Sequence, residues 1–115
     1  MQKLNVMIEA PQGKPNTHIA HFAGDFDGYA KENLTEIQKL VDMAGENTTL
    51  IFDFSRLNFL NSYAIGHLVA WHNHLLKQGG QIMIVGLNKS VEDIFSILGI
   101  TTIFKIYPDL QAALK

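Results

Sequence analysis

A serine hydroxyl at the start of a helix is the group in this chain whose setting most directly implies chemistry. Ser62 lies in Phe59-Leu60-Asn61-Ser62-Tyr63-Ala64-Ile65-Gly66, where an apolar strand pattern gives way to helical spacing. A helix N-terminus presents unpaired N–H groups and the positive end of the helix dipole, so a phosphate carried on that hydroxyl would be accommodated there. The chemistry implied is regulatory phosphorylation rather than catalysis. Helix capping is the competing explanation for Asn61 and Ser62, because both residue types satisfy leading N–H groups in many helices.

Other groups offer less. Asp25 and Asp27, in Gly24-Asp25-Phe26-Asp27-Gly28, could bind a cation, but an oxygen-donor site needs more ligands than this loop supplies. An Asx-type turn accounts for them better. His67, His72 and His74 stand at spacings of five, seven and two. Helical zinc sites use an i, i+4 pair, which is absent, so structural or surface histidines are expected. His18 and His21 are three apart on a strand and point to opposite faces. With no cysteine, disulfides, thiolate catalysis and Cys-based zinc sites are excluded. No Gly-rich phosphate loop, nucleophile elbow or pair of catalytic carboxylates is visible, so neither an enzyme nor a cofactor site is expected.

The elements that must position these residues follow from periodicity. Leu4, Val6 and Ile8 alternate as a first strand. Pro11-Gln12-Gly13-Lys14-Pro15-Asn16 is a turn, and His18 to Ala23 returns as the second arm of a hairpin broken by the Gly24 to Gly28 segment. Leu34, Ile37, Leu40, Val41 and Ala44 give a helix from about Tyr29 to Ala44, stopped by Gly45 at C′. Thr48 to Phe54 is apolar on both faces and suits a buried central strand. Ser55 to Leu60 reads as a loop. Asn61 then caps a helix from about Ser62 to Gln78 that Gly79-Gly80 ends. Gln81 to Val85 is a strand. Asn88 or Ser90 caps a helix over Val91 to Leu98, closed by Gly99. Thr102 to Ile106 is a last strand, and Pro108-Asp109 opens a terminal helix. The expected fold is α/β, a mixed, mostly parallel sheet with an N-terminal β-hairpin and about four helices, in one domain over residues 1–115.

Within the second helix, Ile65, Leu68, Val69, Leu75 and Leu76 form a core stripe. Tyr63, His67, Ala70, Trp71 and His74 fall on another side. Tyr and Trp favour interfaces, so Tyr63, His67 and Trp71 are expected on a docking surface beside Ser62.

The 115 residues are 47% apolar, enough for a core, and carry a net charge of −2. The nine basic residues are scattered with no run of three, which argues against nucleic acid as the main partner. No run reaches the length of a membrane span, and the first residues lack a signal-peptide apolar stretch, so a soluble, cytoplasmic protein without membrane insertion is expected.

The order of elements and four segments resemble the STAS domain of bacterial anti-sigma-factor antagonists. Gly24-Asp25-Phe26-Asp27 is similar to the family's G-E-[LI]-D after the second strand. Leu57 to Gly66 aligns without gaps on V-x-[FY]-[MI]-D-S-[ST]-G-L-G. Lys77-Gln78-Gly79-Gly80 resembles the close of the family's second helix. Ile97-Leu98-Gly99-Ile100 with Phe104-Lys105-Ile106-Tyr107 resembles its L-x-G-L and [LI]-F-x-[IV] ending. The resemblance covers nearly the whole chain and implies a partner-switching protein. The partners that the resemblance implies are an anti-sigma factor that is itself a serine kinase of GHKL type and a PP2C-type phosphatase. The phosphoacceptor position falls on Ser62. Asp27 matches the acidic residue near the phosphorylation loop, and Asp25, Asn61, Tyr63, Ala64, His67 and Trp71 complete the implied partner-binding set. The sequence departs from the motif at three positions: its Asp is Asn61, its second Ser or Thr is Tyr63, and its Gly is Ala64. The alternative is a non-phosphorylated STAS scaffold, or a subunit of a stressosome-like or ABC-transport complex.

Overall fold

The computed structural model describes residues 3–29 and 31–115. Its elements run β1 (Asn5–Glu9), β2 (Thr17–Phe26), α1 (Lys31–Met43), β3 (Thr49–Leu60), α2 (Ser62–Leu76), β4 (Gln81–Val85), α3 (Lys89–Ile97), β5 (Lys105–Tyr107) and α4 (Leu110–Leu114). The five strands form one sheet in chain order, β1-β2-β3-β4-β5. β1 is antiparallel to β2, and every later pairing is parallel. The expected mixed α/β fold is what the chain adopts.

Alternation along the strands sorts side chains to two faces. On one face Phe22 and Phe26 of β2, Leu50, Phe52 and Phe54 of β3, and Ile82 and Ile84 of β4 pack with Ile37 and Val41 of α1, Leu68 and Leu75 of α2, and Val91 and Phe95 of α3. Phe22 is the hub of the aromatic contacts, with Phe52 and Phe54 rings each 5.0 Å away. On the other face Ile19, Ile51 and Val85 lie under α4 through Ala113, Leu110 and Leu114. Because α4 is five residues long, it covers only part of that face.

Several boundaries differ from those expected. The Gly24 segment does not break β2, which continues to Phe26. Gly24 is absorbed with φ of 100° beside a register shift against β3. Ser55 to Leu60 is not a loop but the second half of β3. Two register shifts against β2 spread burial there to Phe54, Leu57 and Leu60, a spacing of three that hides the strand period. The first helix begins at Lys31, and Gly45 is not its left-handed stop. Asn47, with φ of 61°, is the left-handed residue of that connection. Thr101 to Ile103 form a turn, which shortens β5 to three residues. Asp109 is the N-cap of α4, so Pro108 precedes the cap rather than occupying the first helical position.

Candidate functional site

The C-terminal ends of β2 and β3 lie side by side, because Phe26 pairs with Leu60. Asp27 and Asn61 leave the sheet at the same level. Asn61 adopts an extended conformation, and its Oδ1 accepts the Ala64 N–H at 2.9 Å, which caps α2 as expected. The cap leaves the N–H groups of Ser62 and Tyr63 outside the intrahelical ladder. Ser62 is the first residue of α2 and is exposed. Removing the cap side chain orphans the Ala64 N–H. Asn61→Ala should therefore cost about 0.5–2 kcal/mol in urea unfolding, and Asn61→Asp should keep that stability, because a carboxylate accepts the same bond at the positive end of the dipole.

The loop from β2 is pressed onto this helix start. Asp27 Oδ1 accepts the Tyr29 N–H at 2.9 Å, the expected Asx-type turn. Gly28, with φ of 81°, sits so close that a Cβ there would lie 2.6 Å from the Tyr63 ring and 3.1 Å from the Ala64 nitrogen. The Tyr29 ring stacks on that of Tyr63 at 4.7 Å and 21°. From this pair a chain of rings descends into the protein. Tyr63 meets His67 edge-on at 5.0 Å, His67 lies 5.6 Å from Trp71, and Trp71 stacks over Phe26 at 6.4 Å. Tyr29 and Tyr63 are 67% and 50% exposed, whereas Trp71 is 3% exposed.

That gradient corrects the expected docking surface. Trp71 is a core residue that ties α2 to α1 by donating its indole N–H to Gln38 Oε1 at 2.8 Å. Ala64 is fully buried beneath Gly28. Neither can touch a partner without unfolding. His67 is half-buried, with a buried Nε2 that finds no hydrogen-bond partner. It lines a groove of about 390 Å³ between α1 and α2 with Gln38, Lys39 and Asp42. The buried face of α2 is Ala64, Ile65, Leu68, Trp71, His72 and Leu75, while Leu76, expected in the core, is half exposed. His72 is structural. Its Nδ1 accepts the Ile82 N–H at 3.0 Å, and burial pushes its pKa down despite a bond to the Ile103 backbone. Among the described residues no three His, Asp or Glu side chains could hold a metal ion, and no helix is long and apolar enough to cross a membrane.

The structure thus brings Asp27, Asn61, Ser62 and Tyr63 to one rim, with Asp25 half-buried at the end of β2. Sequence reasoning missed Gly28 and Tyr29. A glycine-aromatic pair directly after the Gly-Asp-Phe-Asp segment was the available signal, because a loop must be thin to cross a helix start and needs an anchor to stay there.

The STAS domain family model matches residues 10–113, nearly the full length. The chain belongs to the STAS domain family. A curated relative, the anti-sigma-B factor antagonist of Bacillus subtilis (strain 168), is 25% identical over 103 residues, which is 90% of this chain and 92% of that protein. An anti-sigma factor antagonist from Mycobacterium paratuberculosis has the same fold, with a TM-score of 0.81 at 23% identity over 97% of this chain and 92% of its own. A sulfate transporter family protein from Wolinella succinogenes is also similar in fold, with a TM-score of 0.73 at 14% identity over 86% of this chain and 82% of its own. The STAS fold therefore occurs in proteins named as antagonists and in proteins named as transporters. The features of this chain's own rim must separate the two settings.

Proposed function

We propose that this STAS domain is an anti-sigma-factor antagonist whose docking rim is switched by phosphorylation of Ser62. The observation that carries the reading is an exposed hydroxyl at the first position of a capped helix, bordered by an exposed, preorganised tyrosine pair. Aromatic side chains ordered before binding lose little freedom on contact, which suits Tyr29 and Tyr63 to an interface, with Asp27 and Asn61 at its margin. A phosphate on Ser62 would add roughly −1.5 to −2 charges at neutral pH. The helix start tolerates that charge, but a partner lying over the tyrosines would have to desolvate it. Unmodified protein then binds its anti-sigma factor and modified protein does not. The partner of this reading is a GHKL-type serine kinase, which must supply the base for phosphoryl transfer because Asn61 cannot accept a proton. A PP2C-type phosphatase would reset the switch in the cytoplasm.

A second reading is favoured by one observation. The residue that follows Ser62 is Tyr63, a bulky ring stacked on Tyr29, where the family motif carries a small Ser or Thr. In that case the rim docks constitutively in a scaffold or transport assembly and is never modified. Capture from the native host with wild-type, Ser62→Ala and Ser62→Asp baits separates the two. The switch predicts that a kinase-like protein is retained by wild type and Ser62→Ala and is lost at least tenfold with Ser62→Asp, since burying one unpaired charge costs several kcal/mol and about 1.4 kcal/mol is already tenfold. Equal capture by all three baits assigns the scaffold role.

A further inference from the structure

On the face of the sheet opposite α1, α2 and α3, beyond the reach of α4, one histidine is gripped from both sides. His21 of β2 places Nδ1 2.7 Å from Asp53 Oδ2 on β3 and Nε2 2.5 Å from Glu9 Oε1 on β1. A neutral imidazole carries one N–H and one lone pair, so it can satisfy only one of two carboxylates. The other nitrogen would then face an acceptor with no proton between them. Only the doubly protonated ring serves both contacts. The two nitrogens point away from each other, so a single metal ion could not hold all three residues, consistent with the absence of a metal-binding cluster among the described residues.

We propose that Glu9, His21 and Asp53 form a proton-operated clamp that fastens the edge strand β1 to the sheet, closed while the imidazole is doubly protonated and open once it gives up one proton. The two arms are unequal. Asp53 is held in place, with its side chain 12% exposed and its Oδ1 accepting the Ser55 N–H at 3.0 Å. Glu9 is 55% exposed at the end of an edge strand and makes this one contact. Deprotonation therefore leaves Nδ1–H on Asp53 and releases Glu9. Among the described residues, the pair with His21 is the ion pair that reaches β1. The strand's remaining ties are its ladder to β2, the burial of Leu4 and Val6 beside it, and the Asn33 amide of α1 donating to the Leu4 carbonyl at 2.8 Å.

The charged groups around the ring favour the closed form. Glu9 faces it from β1 and Asp53 from β3, while Asp109, the cap of α4, borders Asp53 from the other side. Arg56 of β3 lines the same cavity of about 380 Å³ and opposes the positive ring, while Asn5 and Met7, also on its wall, do not titrate in this range. Burial alone would lower the pKa of His21, but the bonds and charges of Glu9 and Asp53 outweigh it and raise it above 6.5. Burial acts to raise the carboxyl of Asp53, but the Ser55 backbone N–H, the His21 ring and the Ser55 side chain outweigh it and hold it below its ordinary value. For a histidine raised in the folded state, the stabilisation is fully present below 6.5 and is lost as pH climbs through the folded value. The window thus opens upward from 6.5. Release of β1 leaves β2 as a bare edge able to pair with another strand.

The test is amide hydrogen exchange of the β1 backbone, corrected for intrinsic rates and referenced to β4, across about pH 5.5 to 8.5, a range chosen to span the ordinary histidine value. Nitrogen NMR of the His21 ring is followed in the same samples. In wild type, β1 protection should fall relative to β4 with rising pH, up to tenfold for each unit by which the folded pKa exceeds the unfolded one. Glu9→Gln and His21→Gln should hold a flat ratio, and His21 in Glu9→Gln should titrate lower than in wild type. The clamp is refuted if wild type and Glu9→Gln share one pH profile, or if His21 titrates at or below its ordinary value. Glu9→Gln is isosteric and exposed, so a folded variant is available for the comparison.

Discussion

Trp71→Ala should lower the unfolding free energy by about 3–5 kcal/mol, the usual cost of deleting a buried aromatic. The indole fills the space between α2 and the sheet. Phe26 stacks on it at 10°, Phe52 meets it edge-on at 6.2 Å, and its N–H is the hydrogen bond that joins α2 to Gln38 of α1. Truncation leaves a cavity under the helix that carries Ser62 and frees Gln38. Domains of this size are stable by about 5–15 kcal/mol, so one change removes a large share. The urea midpoint should fall by at least about 1 M at typical denaturant slopes. Trp71→Phe should recover most of the loss, lacking only the bond to Gln38 and part of the ring. A Trp71→Ala protein within about 1 kcal/mol of wild type would show that the indole is not a packing element, because losses that small belong to surface sites. Any partner-binding loss in this variant has to be read after its loss of folding. Tyr63→Ala, by contrast, deletes a half-exposed ring and isolates the contact role.

Gly80→Ala should be damaging for a different reason. Gly80 lies between α2 and β4, where its N–H closes the helix on the Leu75 carbonyl at 2.9 Å. A Cβ there would collide with the Thr48 carbonyl oxygen and stand 3.1 Å from the Thr48 nitrogen. These are backbone atoms and cannot turn aside as a side chain can. That carbonyl also accepts the Gln81 N–H, the first bond locking β4 beside β3, and Thr48 is buried. Overpacking of this kind costs about 1–3 kcal/mol, and a broken buried backbone bond adds about 1–3 more. The melting temperature should drop by on the order of 10 °C. Gly66→Ala is the matched control. Gly66 sits inside α2 on the exposed side, where an added methyl would meet nothing within 4 Å and φ is not positive. Alanine there should stabilise the protein by about 0.5–1 kcal/mol. If both glycines behaved alike, close approach at Gly80 would not be the cause.

Much of this architecture was legible because local rules and tertiary packing agree. Asn61, Asn88 and Asp109 cap three helices with Oδ1 bonds of 2.9 Å, a pattern readable from residue type and the apolar spacing that follows. Apolar runs marked β3 and β4, and the Ser62 rim followed from the strand-to-helix junction. What escaped was non-local. The second half of β3 was hidden because two register shifts break the alternation that identifies a strand. Trp71 was misplaced because the helical stripe was anchored on Leu76, one position beyond where burial stops. The bond to Gln38 that fixes the indole spans 33 residues and has no local signature. The same holds for His21, whose carboxylate partners stand 12 and 32 residues away. Spacing placed it on a strand face, but only the sheet order reveals what flanks it.

The order of strands across the sheet repeats their order along the chain. During synthesis each strand therefore leaves the ribosome with its neighbour already made, and no strand has to be inserted between two that came earlier. Parallel sheets usually fold slowly because distant segments must find one another first. Here each parallel crossover closes on the strand just before it, so the search stays short and the growing sheet can add one strand at a time. The Ser62 rim, made where β2 and β3 end, is complete once α2 has emerged, before β4, α3, β5 and α4 exist. A nascent chain stalled after α2 would already contain every residue of the rim, with the β3 edge still waiting for β4.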